Sequence, residues 1–191
     1  MILVDQTKLK SFIRYIDAKL DHPVSLYIAG GSAVVILCPD AQSTKDIDTF
    51  SSNELLLIKK INKSIPPDIS LDINNGINTF EAYLPDDWKN HSIHSSIFSG
   101  KYLQIYTLCP EDLVLMKTFR FNSKDAQDIE KLLALDSFNK NKYKKRFMEM
   151  FRAAPPGQPI VHAGSFAMIW KKIHPGSSIT AQKILKLADL E

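Results

Sequence analysis

The sequence predicts an α/β (α+β) chain in which helices alternate with short strands over residues 1–136, followed by a helical C-terminal portion over 137–191. Three observations carry this. Several segments repeat apolar residues every three or four positions, and others alternate apolar with polar residues. The two kinds occur in the order helix, strand, helix, strand, helix, strand, strand, helix, helix. Beyond residue 136, Pro and Gly gather in APPGQP, a linker at 154–159, and the rest reads as helix.

Each element has its own local reason. TKLKSFIRYIDAKL sets Leu9, Phe12, Ile13, Ile16 and Leu20 on one helical face. Val24 to Ile28 is an apolar strand, Gly30-Gly31-Ser32 a turn, and SAVVILC a short helix that Pro39 limits. KDIDTF alternates as a half-buried strand does. In NELLLIKKINKSI the repeat of Leu55, Ile58, Ile61 and Ile65 predicts a helix, with Asn53 as N-cap and Pro66-Pro67 as its stop. Ile69, Leu71 and Ile73 alternate with Ser70 and Asp72, predicting another strand. Residues 74–100 read as loop with a hairpin around FEAYL, and KYLQIYTL as a strand. Pro110 opens a helix over EDLVLMKTFRF, Ser123 caps the next at KDAQDIEKLLAL, and ITAQKILKLADL is a last amphipathic stretch.

Composition narrows the function classes. With 45% hydrophobic and 24% charged residues, the chain has the balance of a globular protein. No run of 18 apolar residues is present and MILVDQTKLK turns polar too early for a signal peptide, so a cytoplasmic protein without a membrane partner is expected. Cys38 and Cys109 lack CxxC spacing and sit in apolar stretches, which predicts buried thiols. A net charge of +3 is too small to argue nucleic-acid binding by itself; the concentration in KNKYKKR, residues 140–146, is the exception to consider.

The chemistry gathers at YIAGGSAVVILCPDAQSTKDIDTF. Residues two apart on a strand share a face, so Asp46 and Asp48 project together. Two neighbouring carboxylates call for a cation between them, and Mg²⁺, which completes its shell with water and substrate phosphates, fits that pattern. Gly30 and Gly31 allow close backbone approach, and helix-start amides with the Ser32 hydroxyl suit phosphate oxygens. A nucleoside triphosphate is the ligand both halves would share. Asp72, on a later strand, is a candidate third carboxylate, with Glu81 as its competitor.

GGSA, with thirteen residues from its Ala33 to Lys45 and then DID, resembles the signature of the polymerase-β-like nucleotidyltransferases. PEDLVLMKTFRFNSKDAQDIEKLL, residues 110–133, resembles later motifs of the AbiEii-like and MenT-like toxin nucleotidyltransferases. The resemblance implies a mixed sheet flanked by helices and Mg²⁺-dependent transfer from a nucleoside triphosphate. It further implies an RNA acceptor such as a tRNA 3′ end and an antitoxin partner. It also implies that Lys117 contacts the triphosphate and that Asp125 or Asp128 orients it or supports base chemistry. A helical wheel agrees that these groups are unusual: Lys117 falls between Leu113 and Val114, and Asp125 and Asp128 lie near the face of Ile129 and Leu132. Charges aimed inward need partners.

Plainer readings stand beside each motif. Lys117 can snorkel, and acids in a helix's first turn are favourable without catalysis. KNKYKKR reads first as a solvated helix face and second as an RNA contact. His91 and His94 read as loop residues, and Phe166 and Trp170 as core. Transfer to a small molecule or protein side chain, and a catalytically inactive nucleotide-binding module, are the alternative functions.

Overall fold

The computed structural model describes residues 4–41, 44, 46–50, 52–74, 83–153 and 159–187. The chain forms two compact units, one of Met1–Glu81 with Asp87–Cys109 and the other of Ala82–Asp86 with Pro110–Glu191. The expected boundary after residue 136 falls inside the second unit, whereas the chain passes from the first to the second at Cys109 and Pro110.

The first unit opens with α1 (Gln6–Asp17), capped by the Asp5 carboxylate, which accepts from the Lys8 amide at 2.8 Å. All five apolar residues of the expected face, Leu9, Phe12, Ile13, Ile16 and Leu20, are buried. Then follow β1 (Val24–Ala29), α2 (Gly30–Leu37), β2 (Asp46–Thr49), α3 (Asn53–Asn62), β3 (Asp72–Asn74), a 3₁₀ turn (Trp88–His91), β4 (Ile93–His94) and β5 (Leu103–Thr107). They build a mixed five-stranded sheet of order β3-β2-β1-β5-β4. β1 is parallel to β5 and antiparallel to β2; β3 is parallel to β2, and β4 antiparallel to β5. On one face Val24, Leu26, Ile28, Ile47, Ile73, Leu103 and Ile105 are buried, the alternation the sequence shows. α1 packs on β5 and α3 on β1.

Two local expectations of the first unit change, and a third is not tested by the described residues. Ser52, not Asn53, caps α3, because its hydroxyl accepts from the Leu55 amide at 3.1 Å while Asn53 is already helical. The strand expected from Ile69 begins only at Asp72, because the Pro66 carbonyl accepts from both the Ile69 and Ser70 amides and holds that stretch in a turn. The hairpin around FEAYL lies mostly outside the described residues.

The second unit is helical: α4 (Pro110–Arg120), α5 (Ser123–Leu133), α6 (Lys140–Ala153), α7 (Pro159–Ile173) and α8 (Ala181–Leu187). α4 is its axis, buried from Pro110 to Phe119. Around it Phe119, Phe147, Phe151 and Phe166 stack, the closest pair being Phe147 and Phe166 at 4.0 Å between centroids. Phe166 is core as expected, and Trp170 is half-buried. The α5 cap is Asn122 rather than Ser123, since only Asn122 meets Asp125 in a reciprocal capping box. The basic run KNKYKKR is not wholly a solvated face. Tyr143 is fully buried, and Arg146 is buried in a two-bond ion pair with Asp112 at 2.5 and 2.7 Å. Lys142 pairs with Glu111 at 3.3 Å, which leaves Lys140, Lys144 and Lys145 exposed. Cys38 and Cys109 are buried thiols.

Candidate functional site

β1 runs straight into α2. The glycine pair is not a separate turn, because Gly30 is already the first residue of the helix, reached from an extended Ala29. Gly30 has φ +59°, and a Cβ there would stand 1.9 Å from Asp48 Oδ2 and 2.8 Å from its Cγ. The Asp48 carboxylate therefore occupies the space that any other side chain at position 30 would fill. That seat is at the head of a helix, where unpaired amides favour negative charge. Ser32 is fully buried and fixes the seat: its hydroxyl donates to the Ala29 carbonyl at 3.0 Å and accepts from the Asp48 amide at 3.2 Å.

The sheet register gathers the other acids. Asp48 pairs with Ala29 across β1, and Asp46 pairs with Asp72 across β3. Asp46, Asp48 and Asp72 thus share the sheet face opposite Ile47 and Ile73, with the first two half-buried and Asp72 exposed. Among the described residues no group of three or more His, Cys, Asp or Glu is arranged to hold a metal ion. Two oxygen donors side by side do match the need of Mg²⁺, which keeps water and takes substrate phosphate oxygens for the remainder of its shell. Glu81 lies outside the described residues.

Lys117, Asp125 and Asp128 belong to the second unit and form a cluster of their own. The buried Lys117 ammonium donates to Asp128 Oδ2 at 2.6 Å and to Asp125 Oδ1 at 3.2 Å. Snorkelling is excluded, since the side chain is only 3% exposed. Arg120 adds two bonds to Asp125, Nε to Oδ2 at 2.9 Å and Nη2 to Oδ1 at 2.5 Å. Burial pushes the Asp125 carboxyl up, but Arg120, the Asn122 amide and Lys117 outweigh it and hold the group below its ordinary value. The turn that brings these acids onto α4 bends through Phe121 at φ +39°, a backbone state costly for a bulky residue.

A family model described as "Nucleotidyltransferase of unknown function (DUF6036)" matches residues 7–173. The chain belongs to this family. No curated protein and no solved structure matches it. For a nucleotidyltransferase, the seated Asp48 and its partner Asp46 are the notable feature of the sheet, and the wheel anomaly at Lys117 resolves into a neutralised cluster. His91 and His94 are exposed, but neither is a loop residue: His91 closes the 3₁₀ turn beside Asp87 at 3.1 Å, and His94 lies in β4 and is bonded to Gln104 at 2.9 Å. No helix of the described residues is long and apolar enough to cross a membrane.

Sequence reasoning passed over Arg120 and Asn122. Both were signalled: Asn122-Ser-Lys-Asp125 has capping-box spacing, and Arg120 lies three residues after Lys117 on the same helix.

Proposed function

We propose that this nucleotidyltransferase binds a nucleoside triphosphate with Mg²⁺ and transfers its nucleotidyl group to an acceptor hydroxyl, releasing pyrophosphate. The observation that carries the reading is the Asp48 carboxylate seated on Gly30 at the head of α2, with Asp46 on the same face. Asp46 and Asp48 hold the metal, Asp72 serves the acceptor side, and the amides of Gly30, Gly31 and Ser32 meet phosphate oxygens. Bound Mg²⁺ supplies neutralisation of phosphate charge. The acceptor oxygen attacks the α-phosphorus, the bond to the β-phosphate oxygen breaks with its electron pair going to pyrophosphate, and the hydroxyl proton passes to a carboxylate of this face. The Ser32 hydroxyl, with its proton on the Ala29 carbonyl, holds the junction of β1 with α2 and the Asp48 backbone rather than the ligand.

The finer parts rest on the AbiEii-like and MenT-like resemblance of residues 110–133: an RNA acceptor such as a tRNA 3′ end, and a toxin held by an antitoxin. Lys117, buried on Asp125 and Asp128, holds α4 to α5 instead of meeting the triphosphate. Slowed growth on expression in bacteria without a partner is the expected result for the toxin part, and normal growth would remove it.

Calorimetric titration of a non-hydrolysable nucleoside triphosphate tests the core of the proposal. Binding should require Mg²⁺ and be lost in the Asp46→Asn, Asp48→Asn double variant. Metal-independent binding of equal strength in both proteins would overturn the assignment of these aspartates.

A further inference from the structure

β1 and β5 place Tyr27 and Tyr106 at the same register, their rings stacked with centroids 5.0 Å apart. The row continues on both sides. His94 of β4 stands opposite Tyr106 at 5.2 Å, and the Trp88 indole presents its edge to Tyr27 at 5.4 Å while lying on Phe50 at 4.1 Å. Trp88 and Phe50 are buried and form a floor; Tyr27 and Tyr106 are half-exposed and His94 is exposed. The exposed Lys89 places its ammonium 5.9 Å from the Tyr27 ring and 5.4 Å from that of Trp88.

Register puts this row on the acidic face of the sheet. Ala29 pairs with Asp48, so Tyr27, two residues before Ala29, and Phe50, two after Asp48, carry the same face onward. That step is about 6.6 Å along a strand. Cross-strand aromatic pairs stabilise sheets in their own right. A purely stabilising row has no need for half-exposed rings with an imidazole and an ammonium at its open rim. The imidazole is also held in place, with Nε2 2.9 Å from Gln104 Oε1 and 3.0 Å from Ser99 Oγ.

We propose that this aromatic row binds single-stranded nucleic acid as the acceptor, with bases packed along the rim of Tyr27, Tyr106 and His94, a phosphate drawn to Lys89, and the terminal hydroxyl directed to Asp46 and Asp48. Only the last clause rests on the transfer reading above. A polymer suits the row better than the base of the triphosphate, because the rim crosses three adjacent strands, about 10 Å at ordinary strand spacing, wider than one base requires. Sheet-surface aromatics that stack two or three bases are an established way of holding single strands.

Fluorescence anisotropy with a labelled single-stranded RNA oligomer, without triphosphate or metal, tests this apart from catalysis. Wild type should bind, Tyr106→Leu and His94→Ala should each bind roughly five- to hundredfold more weakly, and Tyr106→Phe should stay near wild type. Lys89→Ala should lower the salt dependence by about one phosphate contact. The Asp46→Asn, Asp48→Asn variant should bind RNA at least as tightly as wild type in this metal-free assay, since it removes two carboxylates that repel the strand, so that loss of transfer and loss of strand binding are separable. If transfer fails but this pattern holds, the surface stands as a nucleic-acid site. Absence of RNA binding by wild type, or unchanged affinity in a Tyr106→Leu protein with wild-type circular dichroism, overturns the inference. Weakened triphosphate binding with unaltered RNA binding in Tyr106→Leu also overturns it, by assigning the row to the base of the nucleotide.

Discussion

Gly30→Ala perturbs the seat on which the mechanism depends. The new methyl carbon would begin 1.9 Å from Asp48 Oδ2, and ordinary contact starts at 3.4 Å, so the carboxylate must retreat by 1.5 Å or α2 must shift. At φ +59° the alanine also meets a backbone penalty of about 1–2 kcal/mol. A misplacement of about 1 Å in a reacting constellation costs on the order of a hundredfold in rate, so transfer should fall by at least about that factor. Urea unfolding of Gly30→Ala, Asp48→Ala and the double variant separates the two effects. Removing the carboxylate should relieve the clash but not the backbone penalty, giving a coupling of roughly 1 kcal/mol or more. Gly30→Ala with stability within a few tenths of a kcal/mol of wild type and full transfer would refute the argument.

Three further outcomes follow from the second unit. Lys117→Met strands Asp128 without its 2.6 Å partner and should cost about 3–5 kcal/mol in denaturant unfolding, and an unchanged stability would contradict the buried pairing. The lowered Asp125 value means that its contribution to stability is present above the unfolded carboxyl value, near pH 4, and is lost as pH falls through the folded one. The stability gap between wild type and Asp125→Asn should therefore narrow in acid, and a gap independent of pH would contradict the pairing. Gly164→Ala in α7, where a Cβ meets nothing within 4 Å, should raise stability by about 0.5–1 kcal/mol in the same unfolding assay.

What was legible in the sequence was local. The spacing in TKLKSFIRYIDAKL specified the buried face of α1, and the alternation in KDIDTF put Asp46 and Asp48 on one side of a strand. The pairing of Asp46 with Asp72 depends on register between strands far apart in the chain, which alternation alone leaves open. The carboxylate on Gly30 was hidden for a similar reason: a glycine pair after a strand reads as a turn, and only tertiary contact shows what the missing Cβ makes room for. The wheel position of Lys117 marks it as unusual, but its partners depend on the bend at Phe121, whose positive φ no propensity of a bulky residue favours. In KNKYKKR the density of charge concealed the spacing of Tyr143, Arg146 and Phe147, which is that of a buried helical stripe.

The most direct measurement incubates wild type and the Asp46→Asn, Asp48→Asn variant with each α-labelled nucleoside triphosphate, Mg²⁺ and total RNA, and follows label and pyrophosphate together. The account predicts covalently labelled product and matching pyrophosphate with at least one triphosphate in wild type, and neither in the variant at equal folded fraction. Absence of labelled product with every triphosphate in wild type, or equal labelling by both proteins, would contradict it.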